Sequence, residues 1–333
     1  MRSAPAFWWR RDHSAAALAL MPIAGLWGAS SARRMSRRPE FTAPVPVVCV
    51  GNFVVGGAGK TPTALALARI AAGSGFTPGF LASGYGGEAT GPHRVGAITD
   101  KAALVGDEPL LLAAVGPTVI GRDRAAAAKV LCETGIDLII MDDGFQNPGL
   151  AKDLSFVVVD SDAGIGNGRV IPAGPLRAPL DPQIRRADAL IVVGEGTAAD
   201  PLVRSAARAG RVILRARLTP AGDKDWRAKP ILAFAGIGRP EKLYQSLAAI
   251  GAPVGKTMSY PDHYRYTEAD AERLMAHADA AELRLVTTEK DIARLAGETG
   301  ALARLRERAE AFPVVLEFDN TGAVTAMIAG LAR

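Results

Sequence analysis

A glycine-rich turn at residues 50–68, VGNFVVGGAGKTPTALALA, joins an apolar run to an alanine-rich stretch. Where a strand leads into a helix through such a turn, backbone N–H groups can point at a phosphate. A lysine then reaches the terminal phosphates, and the hydroxyl of the next residue binds Mg²⁺. The residues that supply these parts are Gly56, Gly57, Ala58, Gly59, Lys60 and Thr61. The turn therefore predicts a nucleotide-binding P-loop.

The sequence of this turn departs from the strict pattern G-x-x-x-x-G-K-[ST], because Val54 occupies the position of the first glycine. A glycine-rich turn with an incidental lysine is the alternative. Two classes of P-loop protein do not fit. Deviant partitioning ATPases place a lysine just before the Gly-Gly pair, where this chain has Val55. GTPases carry [NT]-K-x-D, whereas the lysine of TTEKD (residues 287–291) comes one place too late.

A P-loop also requires an acidic group at the end of a neighbouring strand, where it holds the metal ion directly or through water. Asp142 and Asp143 follow the apolar run LIIM. An aspartate that caps a turn before Gly144 is the alternative, because Asp-Gly pairs are common in turns. Together with the P-loop, the two carboxylates predict a magnesium site.

Apolar runs alternate with helix-forming stretches along most of the chain. Continuous apolar strands separated by helices predict a parallel sheet covered by helices on both faces. The first series of predicted strands is VPVVCVG, FLAS, TVIG, DLIIMDDG, LSFVVVD and ALIVVG, and the second is PILAFAGIG, GKTMSYPDHY, LRLVTTEKD and PVVLEFD. Helices are predicted from Thr61, at Glu108 to Val115, from Asp123, at Glu241 to Ile250 and at Thr267 to Ala281.

The polar stretch PAGDKDWRAKP, residues 220–230, predicts a boundary between two lobes. We expect an N-terminal segment of residues 1–41, a P-loop core domain of residues 42–222 and a smaller α/β lobe of residues 223–333. The chain has two cysteines, Cys49 and Cys132. Two are too few for a disulfide framework, and a reducing compartment fits best.

The net charge of +5 belongs to the N-terminal segment. Residues 1–40 contain seven arginines against Asp12 and Glu40, whereas the remaining 293 residues carry 32 basic and 32 acidic side chains. A balanced globular part gives no reason to expect a nucleic-acid partner.

The apolar stretch from Ser14 to Ala29 is interrupted by Pro22 and Gly25 and is shorter than the roughly 20 residues that span a bilayer. A cleaved secretion signal is one interpretation, because an apolar core follows arginines and ends in small residues. A helix in the membrane surface is the other, with tryptophans at the headgroup level and arginines facing anionic lipid. The P-loop favours the second, since an enzyme exported from the cytosol would lose its nucleotide.

Nine motifs in order resemble those of the tetraacyldisaccharide 4′-kinase family, which makes lipid A in Gram-negative bacteria. They are VGNFVVGGAGKTP, GYGG at 84–87, GDEP at 106–109, DDGFQ at 142–146, PAGPLR at 172–177, RRADALIV at 185–192, FAGIG at 234–238, YPDHY at 260–264 and TTEKD at 287–291. The resemblance implies a two-lobed enzyme, peripheral or monotopic at the cytoplasmic face of the inner membrane. With ATP and Mg²⁺, it phosphorylates the 4′-hydroxyl of an acylated glucosamine disaccharide 1-phosphate. The alternative is a P-loop switch ATPase whose output is membrane or partner binding.

The resemblance also implies roles for single residues. Lys60 and Thr61 hold ATP and Mg²⁺, and Asp142 and Asp143 are the acids on the metal side. Asp107 is the base at the acceptor hydroxyl, assisted by His263. Residues near the substrate or nucleotide are Tyr85, Arg124, Gln146 and Arg177.

Elementary considerations leave other interpretations open for two of these residues. Asp107 precedes Glu108 and Pro109 and could cap a helix. His263 lies among tyrosines and could be a packed or hydrogen-bonded residue.

The chain departs from the family pattern at three positions. Ser83 replaces the arginine of SRGYG, Asn147 the histidine of DDGFQH, and Ala178 the glutamate of LREP. The last change puts a metal role for that loop in doubt, and the first weakens an expected phosphate contact.

Overall fold

Strand β1 (Val47–Gly51) precedes the glycine-rich turn, lies inside the larger of two sheets and is buried along its whole length. The other strands of this sheet are β2 (Pro78–Ala82), β3 (His93–Arg94), β4 (Thr118–Ile120), β5 (Leu138–Asp142), β6 (Leu154–Asp160), β7 (Ala189–Val193), β8 (Val212–Pro220) and β13 (Val314–Phe318). The smaller sheet consists of β9 (Ile231–Ala235), β10 (Val254–Ser259), β11 (Arg284–Thr288) and β12 (Glu310–Phe312).

The computed structural model describes residues 4–10 and 14–332. Within them the strand order of the larger sheet is β13-β8-β7-β6-β1-β5-β2-β4-β3. The interior pairs are parallel, and the pairs at the two edges, β13 with β8 and β3 with β4, are antiparallel. Because β5 lies between β1 and β2, the carboxyl end of β5 faces the glycine-rich turn.

Helices cover both sheets. They are α1 (Ala15–Ala19), α2 (Met21–Met35), α3 (Lys60–Gly73), α4 (Ala102–Val105), α5 (Asp107–Ala113), α6 (Arg124–Cys132), α7 (Leu180–Arg186), α8 (Asp200–Arg208), α9 (Glu241–Ala249), α10 (Glu268–Ala280), α11 (Glu289–Arg294), α12 (Gly300–Arg308) and α13 (Thr321–Ala329). Helices α3, α5 and α13 bury apolar side chains in the core on one face of the larger sheet. Helices α6, α7 and α8 do so on the other face.

The predicted parallel sheet covered on both faces is confirmed. The predicted helices are present with ends shifted by a residue or two, and Asp123 and Thr267 are N-caps whose side chains accept from Ala126 N and Asp270 N. The antiparallel edges were not predicted, because short edge strands carry no periodic signal of direction.

The structure corrects the placement of PVVLEFD, which the sequence pattern assigned to the smaller lobe. Strand β13 joins the larger sheet beside β8, with Val315 opposite Thr219 and Glu317 opposite Arg217. Helix α13 then packs on α3 through Val324 and Ile328. The smaller sheet therefore ends at Phe312, and the last part of the predicted lobe of residues 223–333 returns to the larger sheet. The boundary between lobes at residues 220–230 stays a prediction.

Ion pairs join the two lobes. Asp160, at the end of β6, contacts Lys242 of α9, and its Oδ1 lies 2.8 Å from Arg239 Nη1. Asp107 and Glu108 of α5 contact residues of α11. Helix α11 thus lies against the first turn of α5, where the GDEP motif begins.

The N-terminal segment packs beside the loop that follows β6. Trp8 Nε1 donates to Pro172 O at 3.0 Å, and Trp27 Nε1 donates to Arg177 O at 3.3 Å. Among the described residues, no helix is both long enough and apolar enough to cross a membrane. Arg2, Arg11 and Asp12, which entered the charge count of this segment, lie outside the described residues.

Candidate active site

The glycine-rich turn forms an open cradle at the start of α3. Gly56 and Gly59 have φ angles of 110° and 89°, in the left-handed region that favours glycine. Apart from the chain neighbours of each glycine, no described atom lies within 4 Å of a Cβ built on Gly56, Gly57 or Gly59, so the backbone there faces open space. Ala58, by contrast, is buried against the core. The loop therefore has the shape that a phosphate chain requires at a helix N-terminus.

Lys60 and Thr61 begin α3 directly below this cradle. Lys60 is 8% exposed, and its Nζ lies 3.5 Å from Gly56 O and 3.8 Å from Asp143 Oδ2. Thr61 Oγ1 donates to Asp142 Oδ2 at 3.0 Å. The structure thus brings together the lysine, the hydroxyl and both predicted carboxylates.

Asp142 ends β5 and is the carboxylate best placed to ligate a cation. Its Oδ1 is buried without a hydrogen-bond partner among the described atoms. Burial raises the pKa of Asp142 to about 7, and the neighbouring charge of Glu108 adds to the effect. A divalent cation would relieve the cost of this buried carboxylate.

The residues present fit Mg²⁺. This ion takes one or two protein oxygens and completes its shell with phosphates and waters, so a hydroxyl and one carboxylate suffice. Within the described residues no cluster of three or more metal-ligating side chains occurs.

Asp143 is held differently from Asp142. Arg177 grips its carboxylate with two nitrogens, at 2.9 and 3.2 Å, and donates its Nε to Val54 O at 3.0 Å. Burial raises the pKa of Asp143, but Lys60 and Arg177 outweigh it and hold that pKa below the usual value. The PAGPLR loop therefore braces the glycine-rich turn through Arg177.

Two of the predicted contact residues form hydrogen bonds within the protein itself. Gln146 Nε2 donates to Asn52 O at 2.7 Å and lies 2.9 Å from Gln183 Oε1. Arg124 is buried and donates to Ala82 O at 2.9 Å and to Gly121 O. Both side chains link strand ends around the site, and their contact with a ligand stays a prediction.

Asp107 lies one residue inside α5 rather than at its N-cap. The N-cap is Gly106, whose φ of 89° and 2.7 Å approach of a built Cβ to Tyr85 O leave no room for a side chain. Asp107 Oδ1 accepts from Glu108 N at 3.0 Å, and Oδ2 binds Arg294. The carboxylate thus satisfies one first-turn N–H of α5 and also forms a buried ion pair, which helix capping alone does not require.

Asp107 and His263 meet across the two lobes, with His263 Nδ1 3.4 Å from Asp107 Oδ1. Burial raises the pKa of Asp107, but the hydrogen bond with His263 and the charge of Arg294 outweigh it and hold the pKa well below its usual range. The same contact raises the pKa of His263, although burial opposes it. The exposed Tyr85 ring packs edge-on against His263, with centroids 5.6 Å apart.

His263 has a φ of 53°, a left-handed backbone conformation that residues other than glycine rarely adopt. Its N–H donates to Gly236 O at 3.0 Å and to Asp262 Oδ1 at 3.1 Å. Backbone strain of this kind persists where surrounding contacts fix it, and it is frequent at functional sites.

Sequence reasoning missed three charged residues of this site. Arg294 binds Asp107, and Lys290 Nζ lies 2.5 Å from Glu108 Oε1. Burial raises the pKa of Glu108, but Lys290 and Lys60 outweigh it and lower that pKa. Glu108 and Lys290 lie inside the GDEP and TTEKD motifs and could have been singled out there. Arg294 follows the last motif by three residues and carries no local signal.

The three departures from the family pattern have modest structural roles. Ser83 Oγ accepts from Tyr85 N at 3.2 Å, and Asn147 Oδ1 accepts from Gly149 N at 2.8 Å. Ala178 is buried, and its carbonyl accepts from Gln183 Nε2 at 2.7 Å.

Comparison with known proteins gives a consistent result. Residues 16–332 match the family model described as tetraacyldisaccharide-1-P 4′-kinase. The chain is 47% identical over 325 residues to a tetraacyldisaccharide 4′-kinase of a Chelativorans species, covering 98% of this chain and 94% of that one. It is 48% identical over 332 residues to a tetraacyldisaccharide 4′-kinase of a Methylobacterium species, and the alignment covers 99% of this chain and 98% of that one.

A solved structure shows the same fold. It is the crystal structure of the apo form of LpxK from Aquifex aeolicus in complex with ATP, with a TM-score of 0.73 and 24% identity. The alignment covers 96% of this chain and 100% of that chain.

Proposed function

The chain belongs to the tetraacyldisaccharide-1-P 4′-kinase family, and we propose from the geometry of its site how its residues divide the work of that kinase. It is an ATP-dependent enzyme of lipid A biosynthesis that phosphorylates the 4′-hydroxyl of tetraacyldisaccharide 1-phosphate. The observation that carries the proposal is that two neighbouring residues of α5 connect the P-loop residues with His263. Glu108 lies in the charge environment of Lys60 and Asp142, and its neighbour Asp107 contacts His263.

The P-loop side binds and neutralises the phosphates of ATP. The cradle N–H groups of Gly56, Gly57, Ala58 and Gly59 face the phosphates, and Lys60 extends from beneath them. Thr61 and Asp142 would hold Mg²⁺, and Asp143 binds Arg177 beside them. Mg²⁺ held there would neutralise charge on the β- and γ-phosphates and align them.

The part of the site around Asp107 prepares the acceptor hydroxyl. Asp107 accepts its proton, and His263 orients the carboxylate and shares the proton through Nδ1. Tyr85 packs edge-on against the imidazole ring and remains exposed. Phosphoryl transfer depends chiefly on positioning and charge neutralisation, and a base adds about 10² to 10⁴ in rate.

An assay of ATP consumption tests this function against a P-loop switch ATPase. The kinase should consume ATP only when tetraacyldisaccharide 1-phosphate is present and should place one radiolabelled phosphate on the lipid, visible by thin-layer chromatography. Hydrolysis of ATP at the same rate without the lipid, and with no labelled product, would favour the switch.

We also propose that the N-terminal segment holds the enzyme on an anionic membrane, at the cytoplasmic face where ATP is available. Its short helices expose large apolar side chains at Leu18, Met21, Ile23, Leu26 and Trp27. Exposed arginines, Arg33 and Arg34, follow in the last turn of α2. An apolar face bordered by basic residues is typical of a helix lying in the headgroup region. Trp27 contacts Arg177 O, so this face adjoins the site.

Removing residues 1–40 should abolish sedimentation with anionic phospholipid vesicles. Leu26→Glu, at a side chain that is 76% exposed, should weaken binding without unfolding the protein. Binding of the intact chain should also weaken with salt, because each arginine near the surface contributes about 1 kcal/mol.

Ile98→Glu is the matched control, since Ile98 is 99% exposed but lies in the loop between β3 and α4. Equal losses of vesicle binding in Leu26→Glu and Ile98→Glu would contradict the assignment of the N-terminal segment as the membrane-binding surface. A mature protein beginning near residue 32 would instead support a secretion signal.

A further inference from the structure

Arg294 lies on the smaller lobe, yet its guanidinium reaches the carboxylate of Asp107 on the larger lobe. We propose that Arg294 is a positioning residue for the phosphoryl-transfer reaction, which aligns Asp107 with His263 only when the two lobes are together. The inference rests on the proposed role of Asp107 as the base. It adds a residue outside every motif that the sequence singled out.

The contact between Arg294 and Asp107 is buried and bidentate at one oxygen. Arg294 Nε and Nη2 lie 2.8 and 2.5 Å from Asp107 Oδ2, and the two side chains are 7% and 4% exposed. Charge-assisted bonds of this kind fix geometry as well as charge. With Oδ2 occupied, Oδ1 is the oxygen left to His263 Nδ1 and to Glu108 N.

Arg294 is itself held rigidly within the smaller lobe. Its Nη1 donates at 2.6 Å to both Asp291 Oδ1 and Gly236 O. Asp291 is fully buried, and it accepts further hydrogen bonds from Gly236 N, Thr287 Oγ1, Thr288 Oγ1 and Tyr266 Oη. The guanidinium therefore cannot follow Asp107 if the lobes separate.

Gly236 connects this network to His263. The carbonyl of Gly236 accepts from Arg294 Nη1 and also from the His263 backbone N–H at 3.0 Å. The two groups that flank Asp107 are thus attached to one backbone position of the smaller lobe. When the lobes close, Arg294 and His263 therefore reach Asp107 in a fixed relative position. Such preorganisation of the groups around a base increases the rate of catalysis.

The charge of Arg294 also sets how readily Asp107 takes a proton. The charged groups that face Asp107 are Glu108 of its own helix, Arg294 and Lys290 of α11, and His263. Arg294, Lys290 and His263 each lower the pKa of Asp107, against the effect of burial. Loss of Arg294 should raise this pKa, so that the acidic limb of the pH profile of kcat/KM moves to higher pH.

The test compares Arg294→Met and Arg294→Lys with Lys242→Met. Lys242 also forms an ion pair between the lobes, with Asp160, but does not contact Asp107. The measurements are kcat, KM for ATP and for the lipid acceptor, the melting temperature and the pH profile. A residue that merely joins the lobes would change the melting temperature and leave the pH profile in place.

We expect Arg294→Met to lower kcat by up to about 10²-fold, since a misplaced catalytic group costs that much, and to move the acidic limb to higher pH. Arg294→Lys should lower kcat because one ammonium cannot make all the guanidinium contacts, while its retained charge keeps the limb near its original position. Lys242→Met should leave the limb unchanged.

An acidic limb that does not move in Arg294→Met, or an equal movement in Lys242→Met, would overturn the proposal. If Arg294→Met does not fold, an unchanged kcat in folded Arg294→Lys would overturn it as well. Asp107→Asn separates this outcome from failure of the proposed base. Full activity in Asp107→Asn would reject the base itself, whereas an inactive Asp107→Asn with unaffected Arg294 variants would reject the role of Arg294 alone.

Discussion

Lys60→Ala should lower kcat by about 10²–10³, the usual cost of removing one preorganised group that meets developing charge. The ammonium of Lys60 is buried beneath the glycine cradle, 3.8 Å from Asp143 Oδ2, and extends from the first turn of α3. In the proposed mechanism this ammonium would stabilise negative charge on the transferred phosphoryl group and the bridging oxygen in the transition state. We expect kcat to fall further than the affinity for ATP, because the glycine N–H groups remain.

Lys129→Ala is the control for loss of one positive charge, since Lys129 is exposed on α6 and its ammonium packs over the Phe41 ring. Removing Lys60 leaves Asp143 and the nearby carboxylates less compensated, so the melting temperature should be measured for both variants. A folded Lys60→Ala enzyme with wild-type kcat would show that the turn is not a working P-loop.

Asp107→Asn and His263→Ala should each lower kcat by about 10² to 10⁴, the contribution expected of a general base, with little change in the KM for ATP. In the proposed mechanism the two side chains act as one proton-accepting unit, since Asp107 Oδ1 lies 3.4 Å from His263 Nδ1. When two groups act as one unit, the loss of either removes most of their joint contribution. The kcat of the double variant should therefore be little lower than that of either single variant.

The melting temperature completes this experiment, because breaking the buried ion pair of Asp107 with Arg294 also costs stability. His263 is less buried, and its substitution should lower the melting temperature less. Two losses in kcat that multiply fully in the double variant would contradict a shared role for these residues.

Local spacing determined the part of the site that is built from neighbours in the chain. The glycine turn lies between a buried strand and a helix, and Asp142 follows four apolar residues, so sequence alone predicted the cradle, Lys60, Thr61 and the metal-side acids. The structure places these residues together because consecutive strands of a parallel sheet end on the same edge. The contact of Thr61 with Asp142 follows from β5 lying directly beside β1.

Family resemblance, and not spacing, paired Asp107 with His263. Taken alone, GDEP is typical of a helix cap, and YPDHY is typical of a packed tyrosine cluster. Neither motif indicates which residues lie opposite it in the folded chain. The structure shows what lies opposite each motif. Gly106 occupies the N-cap position of α5, and His263 Nδ1 lies 3.4 Å from Asp107 Oδ1. The catalytic roles of Asp107 and His263 stay a prediction.

Only the tertiary structure decided which strands are neighbours at the edges and which charges meet across the lobes. PVVLEFD has the apolar pattern of any strand, and its return to the larger sheet depends on the packing of α13 against α3. Arg294 and Asp107 are 187 positions apart, and no local pattern marks either as the partner of the other. Their ion pair exists because α5, beside the larger sheet, packs against α11, beside the smaller one. An amphipathic sequence indicates which face of an element is buried, but it does not indicate which element packs on that face.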